Sequence, residues 1–239
     1  MSNPLIIYGV PFSQPVRAVL WLMLYKQKPF EMVLINPGSS SEGGSRHPDY
    51  LAKFPTGTIP SIEDKETGFV LSESHAIMCY LCNKFDWNDL YPSNHEQRAK
   101  VDSYLHLHHR NVREASIGLV APKVRKDLNF SEDFLKISQA NINKAFKALE
   151  NGWLAQSRFL TGDNLTIADM SAYVEIGQLQ SKFTNVYDFE PLPNITRWLE
   201  EMNQVAYHDE VHTSLYELGD ISSEAPSMET IISANKKGF

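Results

Sequence analysis

The chain has 239 residues, enough for one large domain or two modest ones, and its 42% hydrophobic and 21% charged content is that of a folded globular protein. With 22 basic against 29 acidic residues the formal charge is −7, which argues against general nucleic-acid binding but leaves room for a local basic pocket. No window has the apolar run needed to cross a bilayer, the N-terminus lacks a basic stretch followed by an apolar segment, and two cysteines three positions apart make no disulfide framework, so the expected compartment is the reducing cytoplasm.

Residues 5–8 are a short apolar run closed by the turn signals Gly9 and Pro11, and read as a first strand. Val16, Val19, Leu20, Met23 and Leu24 then recur at helical spacing. Residues 30–35 read as a second strand, and a Ser/Gly-rich stretch over 39–45 reads as a loop. Residues 59–62 and 69–71 form a predicted hairpin, followed by a helix over 73–85. The order is βαβ, a loop or short helix, then ββα. Beyond residue 86 strand signals stop. Helical patterns cover about 96–119, 134–154, 167–180 and 195–205, and a short segment at 228–232 in the polar tail has helical character. The switch from mixed to all-helical patterning sets an expected boundary between residues 86 and 93, giving domains 1–86 and 93–239.

Four local motifs carry chemistry or folding information. Ser13-Gln14-Pro15-Val16-Arg17-Ala18-Val19 sits at the entrance of the first helix, where free N–H groups and a partial positive charge favour an anion; as pure structure, Ser13 is an N-cap with Pro15 in the first turn. Gly57-Thr58-Ile59-Pro60-Ser61-Ile62 places a proline at a strand start, where a cis or an ordinary trans bond fits. Leu71-Ser72-Glu73-Ser74-His75-Ala76-Ile77 opens the third helix with capping and first-turn charge chemistry. Phe159 to Asp169, with Thr166 and Asp169 three residues apart, reads as a capping box.

Together these motifs and the element order resemble the cytosolic glutathione transferases, with the Ser13 segment similar to the theta class. The resemblance covers residues 5–180. It implies an α/β thioredoxin-like N-terminal domain (βαβ-ββα) and an all-α C-terminal domain with an electrophile pocket and C-terminal extension. It further implies an enzyme that conjugates the glutathione thiolate to small hydrophobic electrophiles, or reduces organic hydroperoxides, with Ser13 as the catalytic hydroxyl. Gln14, Thr58, Ile59, Pro60, Glu73 and Ser74 are the glutathione-binding residues carried over. Pro60 would be cis, the backbone of Ile59 would pair with the cysteinyl residue, and Glu73 and Ser74 would hold the γ-glutamyl end. The register of Arg98 to Leu105 puts the theta-class arginine that faces the sulfur or the electrophile at Arg113. The family is homodimeric, with glutathione as co-substrate and no metal or other cofactor.

The pattern departs in one place. Thr58 stands where theta enzymes carry a lysine for the glycyl carboxylate, and Phe54-Pro55 replaces Asn-Pro. Arg46, His47 or Lys53 are the cations that could meet that carboxylate instead. This departure keeps a second reading open, a non-catalytic glutathione-fold ligand-binding or interaction protein. Two sharper readings are set aside. Cys79 and Cys82 have redox-pair spacing but lie inside a predicted helix rather than opening one, and for His106, His108 and His109 no cysteine or carboxylate nearby completes a convincing metal set. Tyr8, at the end of the first strand, competes with Ser13 as the activating hydroxyl.

Overall fold

The computed structural model describes residues 4–109 and 111–238. Strand β1 (Leu5–Gly9) leads into helix α1 (Gln14–Tyr25), β2 (Glu31–Leu34), the short helix α2 (Pro48–Lys53), β3 (Ser61–Asp64), β4 (Phe69–Ser72) and α3 (Ser74–Lys84). Every later element among the described residues is helical. These are α4 (His95–His108), α5 (Arg113–Ala115), α6 (Ala121–Val124), α7 (Glu132–Ala148), α8 (Ile167–Ile176), α9 (Pro193–Asn203), α10 (His208–Val211), α11 (Thr213–Leu218) and α12 (Met228–Lys236). The fold is the expected thioredoxin-like unit followed by a helical domain.

The sheet runs β2-β1-β3-β4, with β1 parallel to β2 and antiparallel to β3, and β3 antiparallel to β4. The parallel pair needs a crossover, which α1 supplies. Strand β3 begins at Ser61, two residues later than the sequence pattern suggested, because Pro60 has no N–H to give to the ladder. The Ile59–Pro60 bond is cis.

Helix α1 is buried on nearly every side, from Val16 to Met23, because it packs on both α3 and α8 and shares one core with Ile7 and Ile62 of the sheet. Trp21 is fully buried, and its indole N–H donates to the carbonyl of Ala206 at 2.9 Å, so the large ring leaves no polar atom unsatisfied. Helix α8 is equally buried and is capped by Thr166; the carboxylate of Asp169 in its first turn accepts from the backbone N–H of Leu160 (2.8 Å) and Thr166 (3.0 Å) and from the Trp198 indole (3.1 Å). The capping box read from Thr166 and Asp169, three residues apart, is thus also a tie between three segments.

Three expectations change. The helix expected over 96–119 is broken after His108 and resumes at Arg113 with a π turn at Ser116–Val120. Pro122, which has no N–H to return to the carbonyl four residues back, follows that turn and accounts for the irregular hydrogen bonding. Residues 208–218, read without elements, form α10 and α11 around the buried His208 and His212. The tail segment is a full helix, α12, capped by Ser227 Oγ accepting from the N–H of Thr230 at 3.1 Å. Cys79 is half-buried and Cys82 buried on α3, and burial pushes their thiols up to about 11 and about 12, far from the reactive range. No helix among the described residues is long and apolar enough to cross a membrane.

Candidate active site

A cavity of about 740 Å³ opens where the loops of the first domain meet the helices that follow α4. On the first-domain side its wall is Val10 to Pro15 without Pro11, Asn36 to Ser39, Ser45, Arg46, and Gly57 to Ile59. Across from them stand Arg113, Ser116, Ile117, Val120, Ala121 and Val124, with Met228, Ile231 and Ile232 of α12 closing one side.

Ser13 occupies the N-cap position of α1, at φ −67° and ψ 125°, but its hydroxyl makes no capping hydrogen bond. The helix start is instead stabilised by backbone, with Ser13 N–H donating to Val10 at 3.0 Å and Arg17 N–H to Ser13 at 2.9 Å. The hydroxyl is thereby left on the cleft wall beside a helix N-terminus. Arg17 fixes this corner from below. It is fully buried, and its guanidinium donates to the carbonyls of Phe12 and Val174 and to Gln178 Oε1. Burial pushes it down to about 9, with the charge of Glu175 opposing, so it remains a cation at neutral pH.

Gln14 and Arg113 also line the cleft, and they meet through a ring of side chains. Gln14 Nε2 donates to Gln178 Oε1 at 2.9 Å, and Gln178 Nε2 donates to Ser116 Oγ. Ser116 Oγ in turn donates to Glu175 Oε2. Arg113 Nη1 closes the ring, 2.5 Å from Glu175 Oε1 and 3.5 Å from Gln14 Oε1. Burial alone would raise Glu175, but Arg113, His108 and Ser116 hold its carboxyl at about 2. His108 Nε2 lies 3.8 Å from the same carboxylate, and burial pushes this imidazole below its ordinary value, so it stays neutral at neutral pH.

Thr58 and Ile59 face the cleft beside Ser13. The carbonyl of Thr58 accepts from Tyr50 Oη at 2.7 Å, while Ile59 lies outside the strand register that begins at Ser61. Gly57 has φ +62°, and a Cβ there would stand 2.9 Å from the backbone carbonyl oxygen of Ser45, so glycine suits this turn. Glu73 and Ser74 stand at the start of α3, outside the cavity wall. Glu73 is exposed and held at φ 77°, ψ 114°, a conformation sparsely populated by non-glycine residues, and Ser74 is buried.

His47 and Lys53 are not brought to the cleft. His47 caps α2 through Nδ1, which accepts from the N–H of Asp49 at 3.4 Å. Lys53 is committed to Glu63 at 2.6 Å and to Tyr8 Oη at 3.4 Å. Tyr8 donates to Glu63 at 2.7 Å, and both burial and that bond raise its phenol above its ordinary value. Of the three cations considered for the glycyl carboxylate, Arg46 is the one on the wall, its Nη1 3.4 Å from the carbonyl of Thr56.

A family model described as the glutathione S-transferase N-terminal domain matches residues 7–89, and one described as the C-terminal domain matches residues 102–205. The chain belongs to the glutathione S-transferase family. Glutathione S-transferase T3 of Arabidopsis thaliana is 29% identical over 97% of this chain, which spans 40% of that protein's length. Glutathione S-transferase T1 of the same plant is 29% identical over 94% of both chains. The apo form of human glutathione S-transferase T1-1 shares the fold, with a TM-score of 0.76 and 24% identity across 96% of this chain and 95% of that one. The family resemblance carried by the motifs between Ser13 and Asp169 therefore holds, and the human protein named glutathione S-transferase theta-1 is 27% identical over 91% of both chains.

Asn36 to Gly38 had no advance signal, whereas Met228, Ile231 and Ile232 lie in the C-terminal extension that the resemblance implied. Glu175 did leave a trace: it is the one acid within the apolar run from Met170 to Ile176, and such a residue in a buried helix needs a partner.

Proposed function

We propose that this chain is a glutathione transferase in which Ser13 stabilises the thiolate of bound glutathione for attack on a small apolar electrophile. The observation that carries the reading is the Ser13 hydroxyl, free of capping duty, on a cleft wall at the N-terminus of α1. A thiol with a pKa near 8.5 is about 3% ionised at pH 7, and lowering that pKa by about two units takes ~2.7 kcal/mol of preferential stabilisation. A hydrogen bond from Ser13 to an anion and the backbone N–H groups of the helix start together reach that magnitude.

Ile59 offers its backbone to the cysteinyl residue, next to Thr58 and Pro60, while Gln14 borders the same end. Glu73 and Ser74 take the γ-glutamyl end, and Arg46 takes the glycyl carboxylate in place of His47 or Lys53. The first domain, 1–86, holds glutathione, and the second, 93–239, presents the electrophile from its apolar wall of Ile117, Val120 and Val124, facing Ile231 and Ile232. The thiolate displaces a leaving group from an alkyl halide, opens an epoxide or adds to an activated alkene; a hydroperoxide would instead be reduced. A cytoplasmic homodimer is the expected state.

Retention on immobilised glutathione, followed by turnover assays with one electrophile of each class, tests this reading. A chain that is neither retained nor turns over any of them has another function.

A further inference from the structure

Glu175 lies under the cleft, not in it. It is 1% exposed, yet both carboxylate oxygens are engaged by groups whose residues line the cavity, Arg113 at Oε1 and Ser116 at Oε2. We propose that Glu175 is a positioning residue of the transfer reaction, which fixes the Arg113 guanidinium beside Gln14 and so aims it at the Ser13 end of the cleft. The inference rests on the function proposed above and goes beyond it by naming how the arginine is set.

The ring leaves little freedom. Each member uses the donor or acceptor it must: the carboxylate only accepts, the serine hydroxyl passes a proton direction from Gln178 to Glu175, and the Gln14 amide accepts from Arg113 and donates to Gln178. An arginine on a helix surface ordinarily samples many rotamers. Here Nη1 is held by an ionised carboxylate in a water-poor pocket, where a charge-assisted bond is strongest. Among the described residues the other guanidinium N–H groups of Arg113, whose side chain is 29% exposed, are left for the cleft.

The charge pattern points the same way. Arg17, Arg113 and Glu175 put two cations and one anion under the N-terminus of α1, while His108, on α4, is neutral. A buried ion pair is a poor device for stability alone, since apolar packing serves as well, so its placement beneath a cleft favours a role in orientation. The bland alternative is that Glu175 merely ties α5 to α8, and the two readings differ in what a second substitution does.

The test compares Glu175→Gln, Arg113→Ala and the double variant in full-length protein. Positioning predicts that Glu175→Gln lowers kcat by about ten- to a hundredfold, with the KM for glutathione changed less than about twofold. It also predicts that adding it to Arg113→Ala costs nothing further, because the arginine it serves is gone. Additive losses in the double variant would overturn the proposal. A crystal structure of Glu175→Gln is the second arm: the Arg113 guanidinium should leave its place beside Gln14, and an unmoved Arg113 would overturn the proposal whatever the kinetics. If Glu175→Gln does not fold, Ser116→Ala loosens the same carboxylate without unpairing a charge, and the same outcomes apply to it. Wild-type protein that conjugates nothing would end the functional reading, and the crystallographic arm would still decide the place of Glu175.

Discussion

The phenol of Tyr8 donates to Glu63 Oε2 across 2.7 Å, and this pairing turns the one tyrosine on β1 away from the cleft that Ser13 faces. The relationship separates two hydroxyls that are five residues apart in sequence. Burial and the donation of its proton to a carboxylate make this phenol a weaker acid than usual and so a poorer donor to a thiolate. Ser13→Ala is therefore expected to raise the pKa of enzyme-bound glutathione by about one to two units, or ~1.4–2.7 kcal/mol of lost thiolate stabilisation. Tyr8→Phe should shift it far less. Ultraviolet titration of the bound thiolate reads both, and a large shift in Tyr8→Phe with none in Ser13→Ala reverses the assignment.

Glu73 keeps a side chain at φ 77°, where glycine would sit without strain. Holding a non-glycine residue in such a region costs on the order of 1–3 kcal/mol. Glu73→Gly is thus expected to raise the melting temperature by about 2–4 °C while weakening glutathione binding. Ser74→Ala should weaken binding with no gain in stability. Thermal unfolding and calorimetric titration with glutathione decide it. A Glu73→Gly chain that is neither more stable nor weaker in binding removes Glu73 from the site.

Acid should destabilise this fold in two stages. Burial holds His75 at about 2, well below its ordinary 6.5, with the nearby His108 and His109 adding repulsion; its Nε2 faces Ser171 Oγ at 2.5 Å. The unfolded chain takes up a proton below pH 6.5 that the folded chain refuses, so stability falls as pH drops through that value. Glu175 follows lower down. Its folded value of about 2 lies under the ordinary 4.5, so its contribution is present above 4.5 and is lost as pH falls toward 2. His75→Gln should flatten the stability profile between pH 6.5 and 4.5 by up to about 1.4 kcal/mol per pH unit. Urea unfolding across that range is the measurement, and a profile parallel to wild type would show that His75 titrates normally.

Helix α12 lies on the cleft with Met228, Ile231 and Ile232, while Ala234 is fully buried behind them and Ser233 Oγ donates to Glu217. The chain before it is anchored, since Ile221 is fully buried and its N–H donates to Thr184 at 3.1 Å. Deleting residues 227–239 therefore removes the helix without uncovering that anchor. The expected result is a several-fold change, about three- to tenfold, in the KM for the electrophile or in product release, with the KM for glutathione unchanged. Identical steady-state kinetics would make α12 a packing appendage.

What could be read from the sequence is what neighbouring residues decide among themselves. The entrance of α1 at Ser13-Gln14-Pro15 and the carboxylate of Asp169 on the N–H of Thr166 depend on groups a few positions apart. Helix-start chemistry writes those features locally. The same locality explains what was not legible: Lys53 is close in sequence to the cleft loops, but its partner Glu63 lies ten positions on, in a strand.

The tertiary structure decided which groups face one another across the chain. Gln14 reaches Gln178 over 164 positions and Arg113 over 99. These contacts exist because α1 is apolar on nearly all sides and must be sandwiched by α3 and α8, which carries the polar start of α1 onto Glu175 and Gln178. The hydrophobic effect that drives that burial is non-directional, so a single sequence announces that the helices will be covered but not which side chains meet where they close.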